Sequence, residues 1–221
     1  MAQFDPELNR LLVKLVYYGP ALSGKTTNLT ALHDILTPQF KGDMMILETQ
    51  NDRTLFFDLL PLGFHTKSGM LIKFKLFTVP GQVAHDTTRK AVLSRADGIV
   101  FVADSQTTQI ANNAESFQNL EENAEKVGID FKNIPLIVQF NKRDLPNIVT
   151  EQEITNLWKN TPWPVQFAEA LHHKGVIETL SALLESVYAK LDASYHLSEQ
   201  HSLQKQDFIN QVLMHTTPPS I

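Results

Sequence analysis

Gly19-Pro20-Ala21-Leu22-Ser23-Gly24-Lys25-Thr26 fits the pattern G-x-x-x-x-G-K-[ST]. Those residue types at that spacing build a phosphate cradle. The two glycines let the backbone turn tightly, so that the N–H groups of Gly19 and of Ala21 through Thr27 can converge on phosphate oxygens. The Lys25 ammonium would reach the outer phosphates, and the Thr26 hydroxyl would ligate Mg²⁺. Thr27 opens a helix whose positive end faces the same anion. Ordinary composition produces such a match in about one of a hundred chains this long. The flanks lower that chance: Leu11 to Tyr18 reads as a strand and Thr27 to Leu36 as a helix.

Working outward, strand-like and helix-like segments alternate. Met44-Met45-Ile46-Leu47 begins a second strand. Leu71 to Thr78 follows with strong strand character, and Gly98 to Ala103 and Ile134 to Phe140 are continuous apolar runs. Runs that are apolar on both faces suit a parallel sheet covered by helices. Ile110 to Val127 has helical composition. Thr150-Glu151-Gln152-Glu153 fits a capping box, and Gly175 to Leu191 carries helical periodicity. This alternation predicts an α/β fold: a three-layer domain with a mostly parallel central sheet and right-handed crossovers. The domain is expected to span residues 1–191. Residues 192–221 form a polar C-terminal extension, expected to hold one short helix around Leu203 to Met214 or to be partly disordered, and to serve either as a docking segment or as a lightly packed end.

Bulk composition excludes several classes. The 221 residues carry a net charge of −5, which argues against a general nucleic-acid binder. There is no cysteine, so disulfides, thiolate zinc sites, cysteine nucleophiles, prenylation and palmitoylation are excluded. Residue 2 is Ala rather than Gly, which excludes myristoylation. No apolar run is long enough to span a bilayer, and no signal-peptide pattern opens the chain. A cytoplasmic protein without direct membrane insertion is expected.

Two further motifs select the nucleotide. Asn141-Lys142-Arg143-Asp144 matches N-K-x-D directly after a strand, where ligands collect in open α/β sheets. Guanine presents a pair of N–H donors that the two oxygens of the Asp144 carboxylate fit, and adenine lacks the pair. Asn141 can bridge to the base and tie this loop to the phosphate loop, while the Lys142 stem lies over the purine. A weaker guanine contact is expected from the Ala170 N–H, within Ala168-Glu169-Ala170. Thr78-Val79-Pro80-Gly81-Gln82 ends another strand. There Gly81 permits close approach to a γ-phosphate, and Gln82 can hold an attacking water.

The phosphate loop, P-G-Q and N-K-R-D, in this order, resemble the Ras-like small GTPases. Tyr17-Tyr18-Gly19-Pro20, Asn51 to Asp58, Thr78 to Gln82, Asp97 to Gln106 and Asn141 to Asn147 are similar to the MglA-like bacterial GTPases of gliding motility and cell polarity. The resemblance covers about residues 10 to 190. It implies that Thr54 completes Mg²⁺ coordination when GTP is bound. It implies that Arg53 is an arginine finger supplied in cis, and that Gln82 orients the hydrolytic water. It also implies an activating protein of the MglB (roadblock) type, polarity or motility effectors, a monomeric chain, and recruitment to a cell pole.

Three residues depart from the general pattern. Thr78 stands where most small GTPases carry the Asp of D-x-x-G, which leaves a hydroxyl to act near Mg²⁺. Ala21 replaces a Gly common in the loop, and its methyl can crowd an incoming arginine or glutamine. Glu169 stands where Ser is usual. A slow, partner-dependent GTPase is the leading expectation. A nucleotide-bound scaffold that does not hydrolyse is the alternative, and N-K-R-D disfavours a P-loop kinase or ATPase.

Overall fold

The computed structural model describes residues 2–48, 56–81 and 85–213. Its strands are β1 (Gln3–Asp5), β2 (Arg10–Tyr18), β3 (Met45–Glu48), β4 (Phe56–His65), β5 (Leu71–Thr78), β6 (Gly98–Asp104), β7 (Leu136–Asn141) and β8 (Val165–Phe167). The order across the sheet is β3-β4-β5-β2-β6-β7-β8. β2 pairs in parallel with β5 and β6, and the parallel run continues through β7 to β8. β3 and β4 are antiparallel additions at one edge. β1 pairs antiparallel with Arg10 to Leu12, whereas β6 begins its pairing at Leu15, so both reach β2 without competing.

The helices are α1 (Lys25–Ile35), α2 (Asp86–Leu93), α3 (Ile110–Lys126), α4 (Glu151–Trp158), α5 (Val176–Tyr195), α6 (Leu197–Gln200) and α7 (Lys205–Leu213). They cover the sheet on both faces. The pleat divides β2 between two cores: Leu11, Val13, Leu15 and Tyr17 pack with α1, α5 and α7, while Val16 and Tyr18 pack with α2, α3 and α4. β6 and β7 are buried along their whole length, as central strands between two helical layers must be. Thr150 and Glu153 form the capping box, each satisfying the other's backbone N–H at the start of α4.

β4 has no counterpart in the sequence reading. Its stretch Leu59-Leu60-Pro61-Leu62-Gly63 contains the two residues that most often end a strand. Pro61 is tolerated because β3 pairs only as far as Leu59, leaving the Pro61 side open. There the Pro61 carbonyl accepts from the Gly42 N–H at 2.9 Å, and Gly63 donates to Phe40.

Beyond residue 191 the chain folds back on the same core. α5 continues to Tyr195, and α6 and α7 bring Leu197, Leu203, Phe208 and Ile209 into buried positions. Phe208 lies edge-on to Phe74 and Phe64, with ring centroids 5.7 and 6.0 Å apart, and against Tyr188 at 5.4 Å. The Tyr188 hydroxyl donates to the Leu203 carbonyl, and the Asp192 carboxylate caps Ser198. No helix among the described residues is long and apolar enough to cross a membrane.

Candidate nucleotide site

The parallel strands β2, β5, β6 and β7 run in one direction, so their C-terminal ends share one edge of the sheet. Each end delivers one motif. β2 leads into the loop at Gly19 to Thr26. β5 ends at Thr78, β6 at Asp104 and β7 at Asn141. Crevices at such edges are where ligands bind in open α/β sheets.

The loop has the backbone that its glycines predict. Gly24 has φ 100°, and a Cβ there would stand 2.2 Å from Asn141 Nδ2. The left-handed turn and the close approach of Asn141 both demand Gly. Leu22 adopts φ 60° and is almost fully exposed on the rim beside Ala21, while Ser23 is buried beneath them. Lys25 Nζ donates to the Pro20 carbonyl at 2.6 Å and the Gly19 carbonyl at 3.1 Å. Burial lowers its pKa to about 7. Nearby Arg89 adds to that shift, and Asp58 opposes it. A desolvated lysine inside a cradle of N–H groups fits a phosphate anion, which would restore its charge.

Oxygen donors for a hard cation gather at Thr26. The Asp58 carboxylate on β4 accepts from the Thr26 hydroxyl at 2.6 Å and from the Thr78 hydroxyl at 2.9 Å. The Asp58 N–H in turn donates to Thr78 Oγ1. Two hydroxyls and a carboxylate suit Mg²⁺. Asp58 therefore supplies, from the neighbouring strand, the carboxylate that Thr78 lacks. The sequence reading assigned it no role, although a lone acid inside Phe56-Phe57-Asp58-Leu59-Leu60 was an available signal.

The third group of contacts joins the motifs. Asn141 Nδ2 donates to the Ser23 carbonyl at 2.9 Å, and Asn141 Oδ1 accepts from the Ala170 N–H at 3.0 Å. One side chain thus ties the phosphate loop to the loop after β8. The Ala170 N–H, expected to face a base, is committed to Asn141, because a buried N–H needs a partner. Lys142 takes φ 65°, and its ammonium pairs with Asp104 at 2.6 Å, which ties this loop to the end of β6. Asp144 is exposed. Glu169, the residue in place of the usual Ser, pairs with Lys174 at 2.8 Å. On the β5 side, Gly81 sits so close to Ala21 that a Cβ at 81 would stand 2.3 Å from Ala21 Cα. Arg53, Thr54 and Gln82 lie outside the described residues.

An edge that gathers a phosphate loop, an N-K-x-D loop whose Asn141 bridges Ser23 and Ala170, and Gly81 against Ala21 is that of a small GTPase of the P-loop, Ras-like class. The family model for the ADP-ribosylation factor family matches residues 9–187. The mutual gliding-motility protein MglA of Myxococcus xanthus (strain DK1622) is 45% identical over 178 residues, covering 80% of this chain and 91% of that one. ADP-ribosylation factor-like protein 6 of Caenorhabditis elegans is 25% identical over 177 residues, covering 77% and 84%. The chain belongs to the ADP-ribosylation factor family of small GTPases and is MglA-like within it.

Proposed function

We propose that this protein is a guanine-nucleotide switch that binds GTP with Mg²⁺, hydrolyses it slowly, and signals its bound state to partners that govern bacterial cell polarity or motility. The observation that carries this is the Asn141 bridge between Ser23 and Ala170, which makes the phosphate loop and the base loop one rigid unit.

The residues divide the work as follows. The backbone of Ala21 to Thr27 and the Lys25 ammonium hold the phosphates, and Asp144 reads the guanine edge with Asn141 and Lys142 around it. Thr26 and Thr54 would hold the metal, with Asp58 and Thr78 orienting its shell. Bound Mg²⁺ supplies charge neutralisation on the phosphates. Gln82 would orient water for in-line attack, and Arg53 would neutralise charge on the transferring group. Intrinsic rates in this chemistry are on the order of 10⁻⁴ s⁻¹. A roadblock-type activating protein of the MglB kind would raise that rate by arranging the residues around 53 and 82. The partner assignments, a monomeric state and recruitment from the cytoplasm to a cell pole rest on likeness to MglA, whose name records gliding motility.

Nucleotide-free protein, titrated with fluorescent GDP and GTP against ATP competitor, tests the binding half. Preference for guanine nucleotides is expected, and displacement by ATP as effective as by GTP would reject it. Asp144→Asn should move preference toward xanthine nucleotides, because the donor–acceptor pattern inverts. Phosphate release with and without a roadblock-type protein tests the catalytic half. Equal rates in the unsubstituted protein, Gln82→Ala and Arg53→Ala would leave a nucleotide-bound scaffold.

A further inference from the structure

Among the described residues, Arg89, on α2, is the largest side chain with no exposure to solvent. Its guanidinium makes three hydrogen bonds: Nε to the Tyr18 hydroxyl at 2.9 Å, one terminal nitrogen to the Gly81 carbonyl at 3.2 Å, the other to Ser116 Oγ at 3.1 Å. The same group lies over the Tyr18 ring, 4.3 Å from its centroid. All three acceptors are neutral oxygens. Burying a guanidinium against neutral groups is costly unless the position serves something else.

What it joins indicates that purpose. Tyr18 is the residue before the phosphate loop, Gly81 follows Pro80 after β5, and Ser116 belongs to α3. Tyr18 is itself held: its hydroxyl donates to Asn119 at 2.7 Å and accepts from Asn123 at 3.1 Å. Asp86 on α2 accepts from Asn123 at 2.6 Å and pairs with Lys90. Arg89 is thus fixed to α3 and β2 on one side and grips the Gly81 carbonyl on the other. Gly81 meanwhile presses on Ala21 of the phosphate loop.

We propose that Arg89 is a positioning residue for the GTPase reaction: by holding the Gly81 carbonyl it sets Pro80-Gly81 against the phosphate loop, and so places Gly81 for a third phosphate. This rests on the GTPase reading above. It concerns the geometry of the turn and involves no contact between Arg89 and the reacting atoms. On this reading it makes the site distinguish a triphosphate from a diphosphate, since Gly81 is the residue expected to approach the third phosphate.

The test uses the full chain, prepared nucleotide-free, as Arg89→Gln, Arg89→Lys and Ser116→Ala. GDP affinity, GTP affinity, single-turnover hydrolysis and thermal unfolding are measured on each. Ser116→Ala leaves the charge in place and removes only one anchor, so it serves if the Arg89 variants do not fold. The expected result is GDP affinity changed by no more than about threefold. The ratio of GTP to GDP affinity should drop, and single-turnover hydrolysis should slow about tenfold or more in Arg89→Gln, since small misplacements cost that much. Arg89→Lys should recover the affinity ratio in part and the rate hardly at all, because an ammonium keeps the charge but not the three-way fork. Equal loss of GDP and GTP affinity together with lower thermal stability would overturn the proposal in favour of a structural role. An unchanged rate and ratio in folded variants would overturn it as well. If the unsubstituted chain does not hydrolyse GTP, the catalytic reading fails, and the affinity ratio alone then decides the role of Arg89.

Discussion

The Asp58 carboxylate accepts a hydrogen bond from the Thr26 hydroxyl at 2.6 Å, between residues 32 positions apart in the chain. The same carboxylate accepts from Thr78 at 2.9 Å. β4 and β5 pair antiparallel beside this point, with Leu59 opposite Phe77, so Asp58 and Thr78 meet across the ladder. A carboxylate absent from the end of β5 has thus been supplied by the strand next to it. A carboxylate stands beside Thr26, although the motif that usually carries it is altered.

Asp58→Asn should therefore weaken magnesium dependence more than fold stability. The amide is nearly the same size and can still accept from Thr26 and Thr78, but it lacks the charge. Groups that orient metal ligands typically account for 10–100-fold in metal affinity, so a loss of about tenfold is expected. The measurement is fluorescent-GDP dissociation over a range of free Mg²⁺. Superimposable magnesium curves for the two proteins would reject the assignment.

Thr78→Asp restores the usual motif and should nevertheless be harmful on its own. It sets a second carboxylate against the buried Asp58, and like charges in contact raise one carboxyl pKa and repel. Combined with Asp58→Asn it should recover, giving stability and magnesium dependence closer to the unsubstituted protein than either single change. Such non-additivity is the signature of groups in contact. Chemical denaturation of the two singles and the double checks it, and simple additivity would show that the two positions do not share a role.

Most of the fold was legible because its signals are local. β6 and β7 announce themselves as continuous apolar runs, and Thr150 with Glu153 states a helix start in four residues. The phosphate loop and N-K-R-D are likewise short patterns whose chemistry dictates residue type. What was not legible depends on residues distant in the chain. β4 carries Pro61 and Gly63 within its length, and the edge at those residues is completed by Phe40 and Gly42 reaching it from another loop. Arg89 lies in Thr87-Thr88-Arg89-Lys90, which reads as a solvated helix face, and its burial follows from Tyr18 and Ser116 packing around it. The extension beyond residue 191 reads as polar because a few apolar residues, Leu197, Leu203, Phe208 and Ile209, do its packing.

Phe208→Ala measures that last point. The ring is fully buried among Phe64, Phe74 and Tyr188, so its loss leaves a cavity in a core shared by β4, β5 and α5. Removal of a buried Phe costs about 3–5 kcal/mol. Equilibrium unfolding in denaturant should show a midpoint shift of that size with an unchanged slope. A change below about 1 kcal/mol would mean that α7 detaches before the rest of the fold melts.

Lys25 makes nucleotide binding depend on pH in a direction its environment determines. Burial, with Arg89 adding to it, lowers the lysine from 10.5 to about 7 in the folded protein. Between those values the unfolded chain holds a proton that the folded chain has lost. Stability of the nucleotide-free fold therefore rises with pH across that window, by at most about 1.4 kcal/mol per pH unit. Phosphate oxygens favour the ammonium and raise the pKa again, so binding above pH 7 takes up a proton. Affinity should fall with rising pH there, by at most about tenfold per unit. Calorimetric titration with GDP in buffers of different ionisation enthalpy, at about pH 8.5 where the phosphates are already ionised, should report uptake of close to one proton. Lys25→Met should bind more weakly and take up none. Proton release by the unsubstituted protein, or the same uptake in Lys25→Met, would show that another group carries the linkage.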